Sequence, residues 1–309
     1  MEPLMVILGP TAVGKTEFAI TLAQQIDGEI ISADSMQIYK KMNIGTAKPS
    51  TDEMALIPHH LVDCVPPDQE FTVADFQRLV DQVIPEIYKR NSIPMLVGGT
   101  GLYIQTIIAG FLFPEMKTDW ALRERMHHLA KEEGNDSVHA LLKQVDPDLA
   151  NKLHPNDLRR VIRGIEVYRQ TGQRSSYFHD LAKMQPERYN TIKIGLERPR
   201  EELYQRINLR VDLMIERGLV EEVKKLLSKG YSPNLVSMQG LGYKEIVGYL
   251  RGDYDLTRAI YLLKRNTRHF AKRQLTWFKR DNKTVWFNVA NLSIQQMLES
   301  VKQLITQRW

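Results

Sequence analysis

The 309-residue chain has a single cysteine, Cys64, so it can form no internal disulfide and no cysteine-built zinc cluster. No apolar run approaches the ~20 residues that a membrane helix needs. The first residues lack the basic leader of a signal peptide and enter a strand at once. A membrane partner is therefore not expected, and a cytoplasmic location is. Internal repeats and low-complexity segments are absent, and strand-like runs are missing between about residues 115 and 190. Acidic residues are missing from Leu256 to Arg280, a stretch that holds eight lysines and arginines. A second basic stretch, Arg159 to Arg174, sets five arginines against the single Glu166. The net charge of +5 fits an anionic partner without identifying one. Otherwise the composition, 43% hydrophobic and 26% charged, is that of an ordinary globular protein. The length admits one large core, or a core with a smaller companion.

What is present begins at the N-terminus. Gly9-Pro10-Thr11-Ala12-Val13-Gly14-Lys15-Thr16 fits G-x-x-x-x-G-K-[ST] at every fixed position. The apolar run Leu4–Leu8 precedes it, and Glu17–Ala23 follows with helical spacing. In that strand–loop–helix context the motif is a P-loop. Its backbone N–H groups and the helix N-terminus offer positive potential to a phosphate. Lys15 adds a point charge, and the Thr16 hydroxyl is placed to ligate Mg²⁺. The motif does not say whose phosphates are held.

Strands are expected at Leu4–Leu8, Glu29–Ala33 and Pro94–Val97, with helices near Glu17–Gln25 and Thr72–Lys89. This alternation predicts an α/β fold, a P-loop NTPase-like open parallel sheet flanked by helices. Residues 1–114 would be the first part of that core. Residues 115–189 read as a helical insertion, with helices at Trp120–Glu133, Ser137–Gln144 and Asp157–Gln170 and Asp157 as a candidate N-cap. Residues 190–309 would return to the core through a strand at Thr191–Leu196. Helices near Glu201–Arg217, Val220–Lys229 and Thr257–Lys279 would follow, then a strand at Val285–Asn288 and a last helix.

Ligands of open parallel sheets bind beyond the carboxyl ends of the strands. That rule selects three segments, Thr11–Thr16, Asp34-Ser35-Met36-Gln37 and Gly98-Gly99-Thr100-Gly101. A carboxylate at Asp34 can ligate Mg²⁺ through water or accept a proton, and it also suits a turn or an N-cap. Glycines around Thr100 allow a ligand close to the backbone, or simply make a turn. On the helix after Asp157, Val161, Ile162, Ile165 and Tyr168 share one face, while Arg159, Arg160 and Arg163 fall on the other. Those arginines can be a solvated face, a lid on nucleotide phosphates or a nucleic-acid contact. The eight cations of Leu256–Arg280 include Arg265, Arg268 and Lys272 on one face and have no acid on their own helix to pair with. An external anion is the simplest compensation, which favours nucleic acid over a bare solvated face. His59, His60 and Cys64 lie close in sequence, more as structural residues than as a metal site.

Taken together, these segments resemble the tRNA dimethylallyltransferase (tRNA isopentenyltransferase) family. The matching pieces are Gly9–Thr16, Asp34–Tyr39, Ile44–Pro49, Pro58–Asp63, Gly98–Tyr103, His154–Asp157, Gly242–Glu245 and Ala271–Phe278. The P-loop alone is widely shared, but the combination and its order are specific. Eukaryotic relatives carry a zinc finger, so this one-cysteine chain resembles the bacterial type.

The resemblance implies transfer of a dimethylallyl group from dimethylallyl diphosphate to the exocyclic amine of the adenosine 3′ of the anticodon. The partner would be the tRNA anticodon stem-loop and the cofactor Mg²⁺, with Thr16 as its ligand. Asp34 would be the general base, with Thr100 and Arg210 as the other catalytic residues. Lys15, Thr16 and Arg210 would hold the diphosphate. The implied tRNA contacts are Asp34, Ser35, Met36, Gln37, Thr100, Arg123, Arg159, Arg160, Val161, Ile162, Arg163, Gln239, Gly240, Gly242, Tyr243 and Lys244. A monomer is expected. The alternatives are an ATP-dependent kinase of a small metabolite and an isopentenyltransferase acting on free AMP.

Overall fold

Leu4–Leu8 and Gly28–Ala33 are buried along their whole length. Leu4, Val6 and Leu8 join one apolar cluster, while Met5 and Ile7 join another. A strand with apolar groups on both faces needs cover on both, which is the environment of a parallel sheet in an α/β protein. The structure, a computed structural model, describes residues 1–111, 113, 114 and 116–309, apart from the side chains of residues 179 and 183. Residues 1–108 with 189–309 form one compact unit, and residues 109–188 form another. Glu115, the expected start of the insertion, lies outside the described residues.

In chain order the first unit opens with β1 (Pro3–Leu8), α1 (Lys15–Ile26), β2 (Gly28–Ala33), α2 (Thr51–Leu56), β3 (His59–His60), α3 (Val73–Lys89), β4 (Ile93–Gly98) and α4 (Gly101–Ala109). The second unit holds α5 (Trp120–Glu133), α6 (Asn135–Val145), α7 (Pro147–Ala150), α8 (Leu158–Thr171) and α9 (Ser175–Met184). The chain then returns through β5 (Asn190–Glu197), α10 (Arg200–Glu216), α11 (Leu219–Ser228), α12 (Tyr243–Arg251), α13 (Leu256–Phe278), β6 (Val285–Asn288) and α14 (Ile294–Arg308).

The sheet order is β3-β2-β4-β1-β5-β6, and every neighbouring pair is parallel. The open parallel sheet expected from sequence is therefore present. Register matters most for function. Leu8 lies level with Gly98 and Gly195, and Ala33 is also level with Gly98. The loops after β1, β2 and β4 consequently leave the sheet side by side. Phe18, Ala19, Leu22 and Ala23 of α1 cover one face. Phe76, Val80, Ile84 and Ile87 of α3 help to cover the other, after a capping box formed by Thr72 and Asp75.

The second unit has its own apolar core, including Leu122, Val138, Leu142, Val161, Ile162 and Ile165. Asp157 stands at the N-cap position of α8 but makes no side-chain cap bond. Its carboxylate faces Arg160 instead, at 3.3 Å. Side-chain caps in this unit come from Asp119, which accepts from Leu122 N at 2.9 Å, and from the buried Asp146. Asp146 accepts from Leu149 N at 3.1 Å to start α7, and from Ser176 N and Oγ at 2.8 and 2.7 Å.

Candidate active site

The loop after β1 can turn because Gly14, at φ 111°, adopts a backbone that L side chains rarely take, just before α1 begins. Two arginines from the region after β5 tie the loop down. Arg206 Nε donates to Ala12 O at 3.0 Å, and Arg198 Nε donates to Val13 O at 3.2 Å. Thr11 N donates to Gln274 Oε1 at 2.9 Å. Neither arginine is part of the P-loop pattern, and Gln274 lies 263 positions from Thr11, so sequence spacing gave no sign of these contacts.

Lys15 Nζ donates to Gly9 O at 2.9 Å and to Pro10 O at 2.8 Å. Burial pushes its pKa down to about 7; Arg210 adds to the shift by repulsion and Asp34 opposes it. Burial also lowers the Arg210 guanidinium, again with Asp34 opposing. Lys15 from the P-loop, Arg210 from α10 and Asp34 after β2 thus lie within electrostatic reach of one another, as level strand ends and α10 dictate. Thr16 is exposed in the first turn of α1.

Asp34 Oδ1 accepts from Met36 N at 2.9 Å, the turn use of an aspartate. Its Oδ2 has no hydrogen bond among the described residues, so the turn uses only one of the two carboxylate oxygens. Thr100 joins two loops: its N–H donates to Ala33 O at 3.1 Å, and its Oγ1 accepts from Ser35 N at 3.1 Å. Gln37 is committed inward, accepting from Ser32 Oγ at 3.0 Å and donating to Ala47 O at 3.3 Å. The loop it holds is fixed in turn by Glu222, whose carboxylate accepts from the N–H groups of Asn43, Ile44 and Gly45. Glu222 also accepts from Tyr243 Oη at 2.7 Å.

The family profile described as IPP transferase matches residues 37–281. The chain belongs to the IPP transferase family. It is 58% identical over 301 residues to the tRNA dimethylallyltransferase of Halothermothrix orenii, covering 97% of this chain and 92% of that one. The tRNA dimethylallyltransferase of Heliobacterium modesticaldum is 51% identical, over 98% of this chain and 94% of its own. Among solved structures, the full-length tRNA isopentenylpyrophosphate transferase of Bacillus halodurans is 41% identical with a TM-score of 0.75, covering 100% of this chain and 97% of that one. A eukaryotic dimethylallyltransferase solved acting on tRNA is 31% identical with a TM-score of 0.80, covering 100% of this chain and 81% of that one.

The tRNA contacts expected of this IPP transferase divide by exposure. Arg159, Arg160, Gln239 and Lys244 are exposed, and Ser35, Met36 and Gly240 are half-buried. Val161 and Ile162 bury their side chains in the core of the second unit. Tyr243 and Gly242 are buried. Arg123 and Arg163 are already engaged, for both donate to the buried carboxylate of Glu166.

The α13 cations have no acid on their own helix, but two of them find one elsewhere. Lys264 pairs with Asp212 at 2.6 Å and Lys279 with Glu197 at 2.7 Å, acids contributed by other elements. Arg268 donates to Asn208 at 2.7 Å. Lys272, Arg273 and Arg280 stay exposed and have no acidic partner among the described residues. The His59-His60 pair is structural in character: His60 lies 2.7 Å from Glu29, which Arg90 also holds, and His59 Nδ1 lies 2.8 Å from Ile57 O. No helix among the described residues is long and apolar enough to cross a membrane.

Proposed function

We propose that the protein transfers a dimethylallyl group from dimethylallyl diphosphate to the exocyclic amine of the adenosine 3′ of the anticodon in tRNA. One observation carries this reading: two cations, Lys15 and Arg210, are held near each other and near Asp34 with too little negative charge between them. Such a cluster calls for a polyanion beside a proton acceptor. Relatives named tRNA dimethylallyltransferase supply the chemistry that needs both.

The adenine amine is a poor nucleophile because its lone pair is delocalised into the ring. The reaction forms a bond from that nitrogen to C1 of the dimethylallyl group and breaks the C1–O bond. The bonding pair leaves with the diphosphate, and the amine proton passes to the free Oδ2 of Asp34. Lys15, Arg210 and the loop N–H groups stabilise charge on the departing diphosphate. Thr100 and Ser35, joined by their hydrogen bond, form the wall beside Asp34 and would steady the extruded base.

Thr16, exposed at the helix start, is a hard oxygen donor that suits Mg²⁺ when diphosphate oxygens and water complete its shell, so the hydroxyl present fits that ion. The ion would neutralise leaving-group charge. Arg159, Arg160, Gln239 and Lys244, with Lys272, Arg273 and Arg280 of α13, are the exposed groups that would meet tRNA backbone.

An ATP-dependent kinase would use the same loop, and a free-nucleotide enzyme would use the same donor. Both are disfavoured by the names of the relatives. The test uses labelled dimethylallyl diphosphate, Mg²⁺ and unmodified tRNA without ATP. Label should move to the tRNA and not to AMP; label that moves only from ATP to a small acceptor would refute the proposal.

A further inference from the structure

Gln274 is an uncharged residue in the most basic helix of the protein. Its neighbours Lys272 and Arg273 are exposed, whereas Gln274 turns inward and is buried. Its Oε1 accepts from Thr11 N and its Nε2 donates to Gly99 O, both at 2.9 Å. One planar amide therefore bridges the phosphate loop and the loop that carries Thr100.

The glycines around Thr100 record how closely α13 approaches. A Cβ on Gly99 would fall 2.2 Å from Gln274 Nε2, and a Cβ on Gly101 would fall 2.3 Å from Trp277 Cδ1. Gln274 and Trp277 are three positions apart, hence on one helix face. The motif Gly98-Gly99-Thr100-Gly101 is thus small on both sides of Thr100 because this face of α13 occupies the space. From Thr100 the chain of contacts continues to Ser35 N at 3.1 Å, next to Asp34. A continuous path runs from Thr11 through Gln274, Gly99 and Thr100 to Ser35.

We infer that Gln274 is a positioning residue for prenyl transfer. It sets the separation between the loop that cradles the leaving group and the Asp34–Thr100 side that presents the amine. The inference rests on the transferase reading above. The amide suits the task because it accepts at one loop and donates at the other from a single rigid plane. Glutamate keeps the acceptor toward Thr11 but sets a second acceptor against Gly99 O. Methionine fills the space and bridges nothing. In-line transfer is sensitive to such spacing, and a misplacement of about 1 Å can cost about a hundredfold in rate.

The experiment compares the parent with Gln274→Met and Gln274→Glu in the full chain. It measures kcat and KM for the prenyl donor with tRNA, Kd for inorganic diphosphate, and thermal unfolding. Gln274→Met should unfold cooperatively and bind inorganic diphosphate within about threefold of the parent, while kcat falls by about 30- to 100-fold. Gln274→Glu should be as slow near neutral pH. Relative to the parent it should recover about tenfold as the pH falls toward about 6, because the protonated carboxyl can donate to Gly99 O; Gln274→Met should show no such acid limb. A Gln274→Met variant with kcat within about threefold of the parent overturns the inference, as does a loss of rate matched by an equal loss of diphosphate binding. A parent that transfers nothing to tRNA overturns the transferase reading and this inference together. An active parent with equally active variants overturns this one alone.

Discussion

Glu166 in the second unit is enclosed by four hydrogen bonds, two from Arg123 and one each from Arg163 and Asp119 N–H, whereas Lys15 and Arg210 in the first unit have Asp34 as their shared opposing charge. Burial acts to raise the Glu166 carboxyl, but the two arginines and the backbone donor outweigh it, so its pKa lies below the ordinary range. That cluster is satisfied within itself. At the P-loop the shifts run the other way. Burial and mutual repulsion drive Lys15 down to about 7, and its ammonium turns to the carbonyls of its own loop. A closed cluster builds the fold, whereas the cations at the P-loop are the ones proposed to hold the diphosphate. Counting arginines and lysines along the chain treats the two alike.

The largest effect should come from exchanging the two cases. Lys15→Met removes a charge that would hold the bound diphosphate and stabilise it further as it departs, so affinity should fall and kcat should drop about 10²- to 10³-fold. Its melting temperature should hold or rise, because a buried ammonium beside Arg210 is lost. Glu166→Gln should do the reverse. Removing one member of a fully buried ion pair costs about 3–5 kcal/mol, and with both arginines partly in solvent about 2 kcal/mol is expected for the second unit. Its rate per folded molecule should change little. Turnover, thermal unfolding and hydrogen exchange of the α8 amides would measure both sides. Equal destabilisation by the two substitutions would erase the distinction.

This distinction also marks where the sequence stopped being readable. The strands β1, β2, β4, β5 and β6 stand out as short apolar runs because a parallel sheet buries both faces. β3 does not, since it is two half-buried histidines paired with Ile30 and Ile31. α4 is apolar nearly all round and carries no helical period. The P-loop, Asp34 and Thr100 were legible because a strand end followed by glycine or a carboxylate is a local signal. Gln274 and Glu222 were not, because their partners at the P-loop and Asn43–Gly45 lie 263 and up to 179 positions away. The apolar face of α8 is legible from its spacing, and Val161, Ile162 and Ile165 do bury there.

A middle-sized effect should appear in pH dependence. The folded pKa of Lys15 is lowered from the ordinary 10.5 to about 7, so folding favours its neutral form. The apo protein should therefore gain stability from this group as the pH rises from about 7 toward 10.5, and lose it as the pH falls back. A bound diphosphate reverses the preference by favouring the ammonium. Binding of a non-reactive dimethylallyl diphosphate analogue near pH 8 should take up close to one proton. Affinity should then fall by up to about tenfold per pH unit above the apo value. Titration calorimetry in two buffers of different ionisation enthalpy reads the proton directly. Lys15→Met should abolish the uptake, and a parent that takes up no proton would show that the P-loop cation is already charged and satisfied.

The smallest effect tests whether neighbours on one helix can belong to opposite classes. Arg160 and Arg163 are one turn apart on α8. Arg160 makes only an exposed contact to Asp157 at 3.3 Å, which contributes little. Arg163 spans 2.6 Å to the buried Glu166. If Arg160 neutralises a tRNA phosphate, Arg160→Ala should weaken tRNA binding by only a few-fold and reduce the slope of log K against log salt concentration by about 1. Arg163→Ala should leave that slope unchanged and instead lower the stability of the second unit, because Glu166 keeps its buried charge with one arginine fewer. Equal changes of slope would mean that the Glu166 clamp opens to share Arg163 with the RNA. An unchanged slope in both would remove α8 from the tRNA interface and leave binding to α13 and the Gln239–Lys244 segment.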